Sequence, residues 1–257
     1  MTLPNGFTDT SVSALPLHVL ERDGFTAWRE TLAPALQAWV DAQQFSAAPG
    51  ALILLPGVHG IAAAAIGIGD PQDPYSYAHA PHGLPPGDWE LASPLDPAAR
   101  NALQLGWGLG SYRFDRYKKP PRQPARLLLR DADAEAIDLL AACVRVRDLV
   151  NTPTEHMGPE QLEAVAREIA QQHGAQIEVI TGDELLAQNF PAIHAVGRAS
   201  HRAPRLIALR WGASGLPHVA LVGKGVCFDT GGLDIKPADG MRNMKKDMGG
   251  GAHALAL

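Results

Sequence analysis

Residues 222–251 read VGKGVCFDTGGLDIKPADGMRNMKKDMGGG. This stretch holds Lys224, Asp229, Lys236 and Asp247 in a glycine-rich frame. Glycine lets the backbone turn sharply and approach a ligand closely, so amines and carboxylates on such a frame suit a metal or anion site. The apolar run His218–Gly223 just upstream reads as a strand. Lys224 would then lie beyond a strand's carboxyl end, where open α/β sheets bind their ligands. Asp229 and Asp247 are hard oxygen donors. No His or Cys pair at zinc-finger spacing accompanies them, which disfavours a structural zinc site and leaves carboxylate-rich catalytic centres open. Gly223-Lys224-Gly225 lacks the GxxxxGK[ST] spacing, so a phosphate loop is disfavoured. Taken singly, each Lys and Asp is equally at home on a solvated loop.

Working outward, residues 131–257 alternate helix and strand patterns. Asp133–Val150 is amphipathic, with Ile137, Leu140, Val144 and Leu149 near one face. Pro159 opens a second helix and Gly174 closes it. Ile177–Ile180, Arg205–Trp211 and His218–Gly223 read as strands, with a short helix at Asp183–Ala187 after the first. Such alternation predicts an α/β fold with a mostly parallel sheet. KKPPRQP at residues 118–124 is the clearest linker, since proline stiffens an extended chain. It divides the chain into an N-terminal α/β domain, residues 1–130, and a second domain, residues 131–257. In the first, Phe25–Phe45 reads as a helix and Ala51–Leu55 and Ile61–Ile68 as strands around a turn. Asp70–Pro97 reads as loop, and Pro97–Gly106 as a helix capped by Asp96.

The chain has 257 residues, 46% hydrophobic and 19% charged, which fits a globular protein with a real core. A net charge of −5 argues against a dedicated nucleic-acid binder. Two cysteines, Cys143 and Cys227, form no disulfide framework and suit a reducing compartment. The first residues carry no secretory signal pattern. The uncharged stretch 47–69 is broken by Pro56-Gly57 and His59-Gly60 and does not read as a membrane span. His59, His79, His82 and His156 show no HExxH-like spacing. Cys227 has no histidine at a spacing that would make it a nucleophile.

The stretch Gly223–Gly232, with Ile235-Lys236-Pro237, Met244 and Asp247-Met248-Gly249, resembles the signature of the leucine aminopeptidase (cytosol aminopeptidase) family of dizinc peptidases. Arg147–Pro153, followed by Met157 and Pro159, resembles that family's entry into its catalytic domain. Gly106–Phe114 extends the likeness into the first domain. Cys227 and Thr230 depart mildly, at positions that are not ligands. The resemblance implies a macro-like N-terminal domain followed by an α/β catalytic domain. It implies a cytoplasmic homohexamer that removes residues such as leucine from peptide N-termini with two divalent ions, zinc or manganese. Asp229 would bridge both ions, and Lys224 and Asp247 would ligate one of them. A lysine amine can ligate only in its neutral form. Lys236 would stay charged and stabilise the oxyanion. Met244 would line the pocket for the first side chain, with Lys236 and Asp229 also facing substrate.

The family's further carboxylates and arginine, in a string such as NTDAEGR, are not found in these 257 residues. The expectation is therefore an N-terminal half, inactive by itself, with apolar surface exposed near Ala252–Leu257. The alternatives of other classes are a ligand-binding macro-like module and a DNA-binding accessory role. The first has no phosphate-loop motif to support it, and the acidic balance opposes the second.

Overall fold

The computed structural model describes residues 3–213 and 215–257. Chain contacts divide it into two compact units, Met1–Val144 and Arg145–Leu257. The division by contacts falls inside the helix Ala134–Asn151.

The first unit contains β1 (Phe7–Thr8), β2 (Leu15–Leu20), α1 (Phe25–Glu30), α2 (Pro34–Ala42), β3 (Leu52–Gly57), β4 (Gly60–Gly67), α3 (Ala80–Gly83), β5 (Asp88–Leu91), α4 (Pro97–Ser111), β6 (Arg126–Leu128) and the first part of α5 (Ala134–Asn151). Its strands form one six-stranded sheet in the order β1-β6-β5-β2-β4-β3. Every pairing is parallel except the β3–β4 hairpin. The unit is of the expected α/β class, and its sheet is mostly parallel.

Alternation along β4 shows why the sheet is covered on both faces. Ala64 and Ile66 join Leu17, Trp89, Leu103, Trp107, Leu127 and Leu140 in one core. Ala63 and Ala65 join Trp28, Val40, Phe45, Ile53 and Leu55 in another. Successive side chains of a strand point to opposite faces, so α4 and α5 cover one side and α1 and α2 the other. Asp96 caps α4 as its sequence predicts, accepting from the backbone N–H groups of Ala98 and Ala99.

Two expectations for this unit are corrected. The helix expected over Phe25–Phe45 is two helices. Chain order breaks after Glu30 and restarts at Pro34, whose ring suits a first helical position but cannot sit inside a helix. The segment Asp70–Pro97 is not all loop. It contains β5, hydrogen-bonded between β2 and β6, with Trp89 buried. Four residues between Pro/Gly clusters are too few to display alternation, so the partners make the strand.

The second unit holds the rest of α5, then α6 (Pro159–His173), β7 (Gln176–Thr181), α7 (Glu184–Ala187), α8 (Pro191–Gly197), β8 (Arg205–Arg210), α9 (Ala238–Met241) and α10 (Gly249–Ala256). Gly158 precedes α6, where its N–H is met by the Gln161 side chain, and Gly174 closes the helix. β7 and β8 pair antiparallel, whereas the helix–strand alternation suggested parallel neighbours. The strand expected at His218–Gly223 does not form. A strand is defined by a neighbour's backbone, and among the described residues neither β7 nor β8 takes this one. Val219 and Val222 consequently stand 85% and 94% exposed. Ala252, by contrast, is buried rather than part of an exposed patch, although Leu257 is exposed. No helix among the described residues is long and apolar enough to cross a membrane.

Candidate metal centre

The backbone of residues 223–225 lies directly on the start of α10. Gly251 N–H donates to Lys224 O at 2.7 Å. A β-carbon at Gly223 would sit 2.2 Å from Gly250 O, so only glycine allows this approach. Beneath the contact, Cys227, Met248 and Ala252 pack with Leu149, Met157 and Leu162. The result places Lys224 Nζ 2.9 Å from Asp247 Oδ1. Asp247 itself ends the 3-10 turn Met244–Lys246, with its N–H donating to Met244 O.

A second pair forms across the loop between residues 229 and 236. Asp229 Oδ1 accepts from Gly231 N–H at 3.0 Å, and Lys236 N–H donates to Thr230 O at 2.9 Å. Gly231 makes the reversal at φ +91°, a left-handed conformation. Lys236 Nζ is thereby set 2.6 Å from Asp229 Oδ1 and 3.6 Å from the sulfur of buried Met244. The structure thus brings Lys224, Asp229, Lys236, Met244 and Asp247 into one region.

The electrostatics follow from these pairs. The hydrogen bond from Lys236 holds the Asp229 carboxyl below its ordinary range against the opposing effect of desolvation, and Lys224 adds a further attraction. The hydrogen bond from Lys224 does the same for Asp247. Both pairings favour the ionised carboxylate, the form that ligation requires. Burial pushes the Cys227 thiol up to about 11, and its sulfur contacts Gly225 O at 3.5 Å. That environment suits a packing residue, not a nucleophile.

Lys224 Nζ and Asp247 Oδ1 are close enough to act as adjacent donors, and Asp229 supplies a second carboxylate. This donor set fits part of a divalent-metal shell. Among the described residues no cluster of three or more His, Cys, Asp or Glu forms a fuller one. His59, His79, His82 and His156 join no such cluster. A separate cleft of about 430 Å³ is lined by Glu155, Glu160, Gln161, His201, Arg202, Ala203 and Arg205, and none of the five expected site residues borders it.

Sequence reasoning missed the tethers around the site. Lys245 Nζ donates to Asn151 Oδ1 at 2.9 Å, and Lys246 Nζ lies 3.4 Å from Asp247 Oδ2. Arg202 donates to Thr154 O and Glu155 O. The adjacent lysines in Met244–Met248 (MKKDM) were the one visible signal.

Comparison with known proteins places these features in a family. Residues 144–257 match the cytosol aminopeptidase family catalytic domain, and residues 15–130 match the M17 aminopeptidase N-terminal domain. A probable cytosol aminopeptidase of Corynebacterium glutamicum is 36% identical over 178 residues, covering 65% of this chain and 36% of the relative. One from Rhodococcus opacus is 39% identical over 184 residues, covering 64% and 36%. The crystal structure of a cytosol aminopeptidase from Coxiella burnetii superposes with a TM-score of 0.87 at 38% identity, over 96% of this chain and 55% of that one. The bottromycin maturation enzyme BotP, in complex with Mn, gives 0.72 at 26% identity over 94% and 54%. The chain thus spans about a third of the length of these curated relatives and about half that of the solved structures. With one family's two domain models accounting for nearly all of it, the chain belongs to the cytosol aminopeptidase family.

Proposed function

We propose that this protein is a metal-dependent aminopeptidase that releases N-terminal residues such as leucine from peptides. The observation that carries the reading is the pairing of Asp229 with Lys236 and Asp247 with Lys224 in one cluster. A bound Mn in a relative 26% identical supports a divalent metal. Residues 131–257 would begin the catalytic domain, and residues 1–130 would form a macro-like N-terminal domain.

Lys224, Asp229 and Asp247 would hold the metal, two ions of zinc or manganese in the complete shell. When bound, such ions polarise a peptide carbonyl and lower the pKa of water. Lys224 would ligate only as the neutral amine, with its proton lost to solvent, and Asp247 would ligate the same ion. Lys236 would keep its proton and donate to the negative charge that develops on the carbonyl oxygen. Met244, which Lys236 contacts, would line the pocket for the substrate's first side chain. Lys224, Asp229 and Asp247 do not close two shells by themselves, so the isolated 257 residues are expected to be inactive. A cytoplasmic homohexamer is the proposed assembly, after the family resemblance, with peptides as its substrates and neither membrane nor nucleic acid as a partner.

The test is release of p-nitroaniline from leucine p-nitroanilide by the protein purified from its native source, with metal content measured on the same sample. Turnover that a chelator abolishes and Mn²⁺ or Zn²⁺ restores is the expected result. A metal-replete sample without turnover on any aminoacyl substrate would overturn the reading.

A further inference from the structure

The turn that carries Met244 and Asp247 has little of its own to hold it in place. It is three residues of 3-10 helix, closed by Lys246 N–H to Asn243 O and Asp247 N–H to Met244 O. Isolated 3-10 turns have poor hydrogen-bond geometry and do not persist alone. The helix that follows opens with Gly249-Gly250-Gly251, a sequence of low helix propensity. Something outside the turn must therefore fix where Asp247 points.

Lys224 and Lys236 reach the turn from the site loop, and two further contacts come from the last turn of α5. Met248 is buried against Leu149, and Gly249 lies against Val150. This apolar contact sets a distance but little rotation. The directional contact is Lys245 Nζ to Asn151 Oδ1 at 2.9 Å, a half-buried bond between residues 94 apart. Asn151 is the last residue of an eighteen-residue helix, so its amide oxygen sits on a rigid support. The carbonyls at a helix C-terminus also carry partial negative charge, which attracts the Lys245 ammonium. Lys246, in contrast, is exposed and reaches Asp247 itself.

We propose that Lys245, acting through Asn151, is a positioning residue that anchors the Met244–Asp247 turn to α5 and so sets Asp247 against Lys224. Its effect on metal binding rests on the aminopeptidase reading above; its effect on the turn does not.

The experiment compares Lys245→Met, Lys245→Arg, Asn151→Ala and the Lys245→Met/Asn151→Ala double variant in the full chain. Amide hydrogen exchange across residues 244–251 reports the turn, and Mn²⁺ titration reports the metal. Lys245→Met is expected to speed exchange of the Asp247 and Gly251 amides about tenfold and to raise the Mn²⁺ Kd about tenfold, the size typical for a residue that orients a ligand. Lys245→Arg keeps the donor and charge and should return both to within about threefold. The double variant should be no worse than the worse single one, because each partner acts through the other. Unchanged exchange in Lys245→Met, or fully additive effects in the double variant, would overturn the proposal. If Lys245→Met does not fold, failure of Lys245→Arg to behave like the parent does the same. A parent protein with no Mn²⁺ binding sensitive to Asp229→Ala would overturn the metal reading, and the exchange data would still decide the role of Lys245.

Discussion

Lys236 Nζ lies 2.6 Å from Asp229 Oδ1. A cation and a carboxylate at that distance are chemically partnered, yet the two should respond very differently to substitution. In the metal-loaded protein Asp229→Ala removes a proposed ligand, so metal content and turnover should fall together. Lys236→Ala should retain metal and lower kcat by roughly 10²-fold or more, the cost of losing an oxyanion donor. Lys224→Ala should instead weaken metal binding. Elemental analysis beside steady-state kinetics separates the three, and equal metal loss in both lysine variants would show their roles to be misassigned.

Gly231 and Gly232 both adopt positive φ, but their surroundings differ. A β-carbon at Gly231 would meet Asp234 O at 2.2 Å, whereas nothing lies within 4 Å at Gly232. Gly232→Ala should cost only the left-handed conformation, about 1–2 kcal/mol. Gly231→Ala should cost at least ~1 kcal/mol more, because the loop must also shift. Denaturant melts of the two variants check the ranking; equal losses would mean that the loop relaxes freely.

Cys227 should resist alkylation. Its thiol is buried, and burial holds it near a pKa of about 11 despite the pull of Arg202 and Arg205. At pH 8 very little thiolate is present, and thiolate is the reactive form. Iodoacetamide under native conditions should label the half-buried Cys143 first, as read by peptide mass spectrometry. Faster labelling at Cys227 would contradict the packing described.

Glu163 supplies a pH dependence. Desolvation pushes its carboxyl up, but hydrogen bonds from Arg205 and Arg167 outweigh this and leave it below the ordinary value. A carboxyl depressed on folding stabilises the fold above its unfolded pKa of ~4.3, and the contribution is lost as pH falls through the folded value. Glu163→Gln should therefore lower stability at pH 7 by about 1 kcal/mol, the scale of a solvent-screened pair. The difference should be smaller at pH 3, below the unfolded value. Thermal melts at both pH values decide it, and a pH-independent difference would point to packing instead.

The exposed apolar segment has a solution signature. Val219, Leu221, Val222, Leu233 and Ile235 are all exposed, and exposed apolar side chains favour association. The 257-residue chain should bind a hydrophobic dye and associate with rising concentration, and a Val219→Lys/Val222→Lys variant should do less of both. Dye binding no greater than that of a tightly packed control would contradict this.

Legibility in the sequence followed how local each signal was. Asp96 at the start of α4, and Pro159 and Gly174 at the ends of α6, act on neighbours a few residues away, and their helices stand where those residues put them. β5 and the run at 218–223 were misread for the opposite reason. The first becomes a strand because β2 and β6 flank it, and the second lacks a flanking strand among the described residues. Within the candidate site, Lys224, Asp229, Lys236 and Asp247 were singled out because their short glycine-rich stretch resembles the family signature. The bond from Lys245 to Asn151 was not, since no periodicity or spacing connects residues so far apart.

The position of β1 in its sheet has a consequence for biosynthesis. Its only neighbour among the described strands is β6, and Gly6 O and Thr8 O accept from Leu127 and Leu129 N–H. Trp107, whose indole N–H also reaches Gly6 O, is made 101 residues later than that glycine. On a ribosome, Phe7 therefore emerges before these partners and waits on the order of ten seconds for them. Of the strands in this sheet β1 is made before all the others and docks only once β6 has left the exit tunnel, so its edge stays unpaired over that interval.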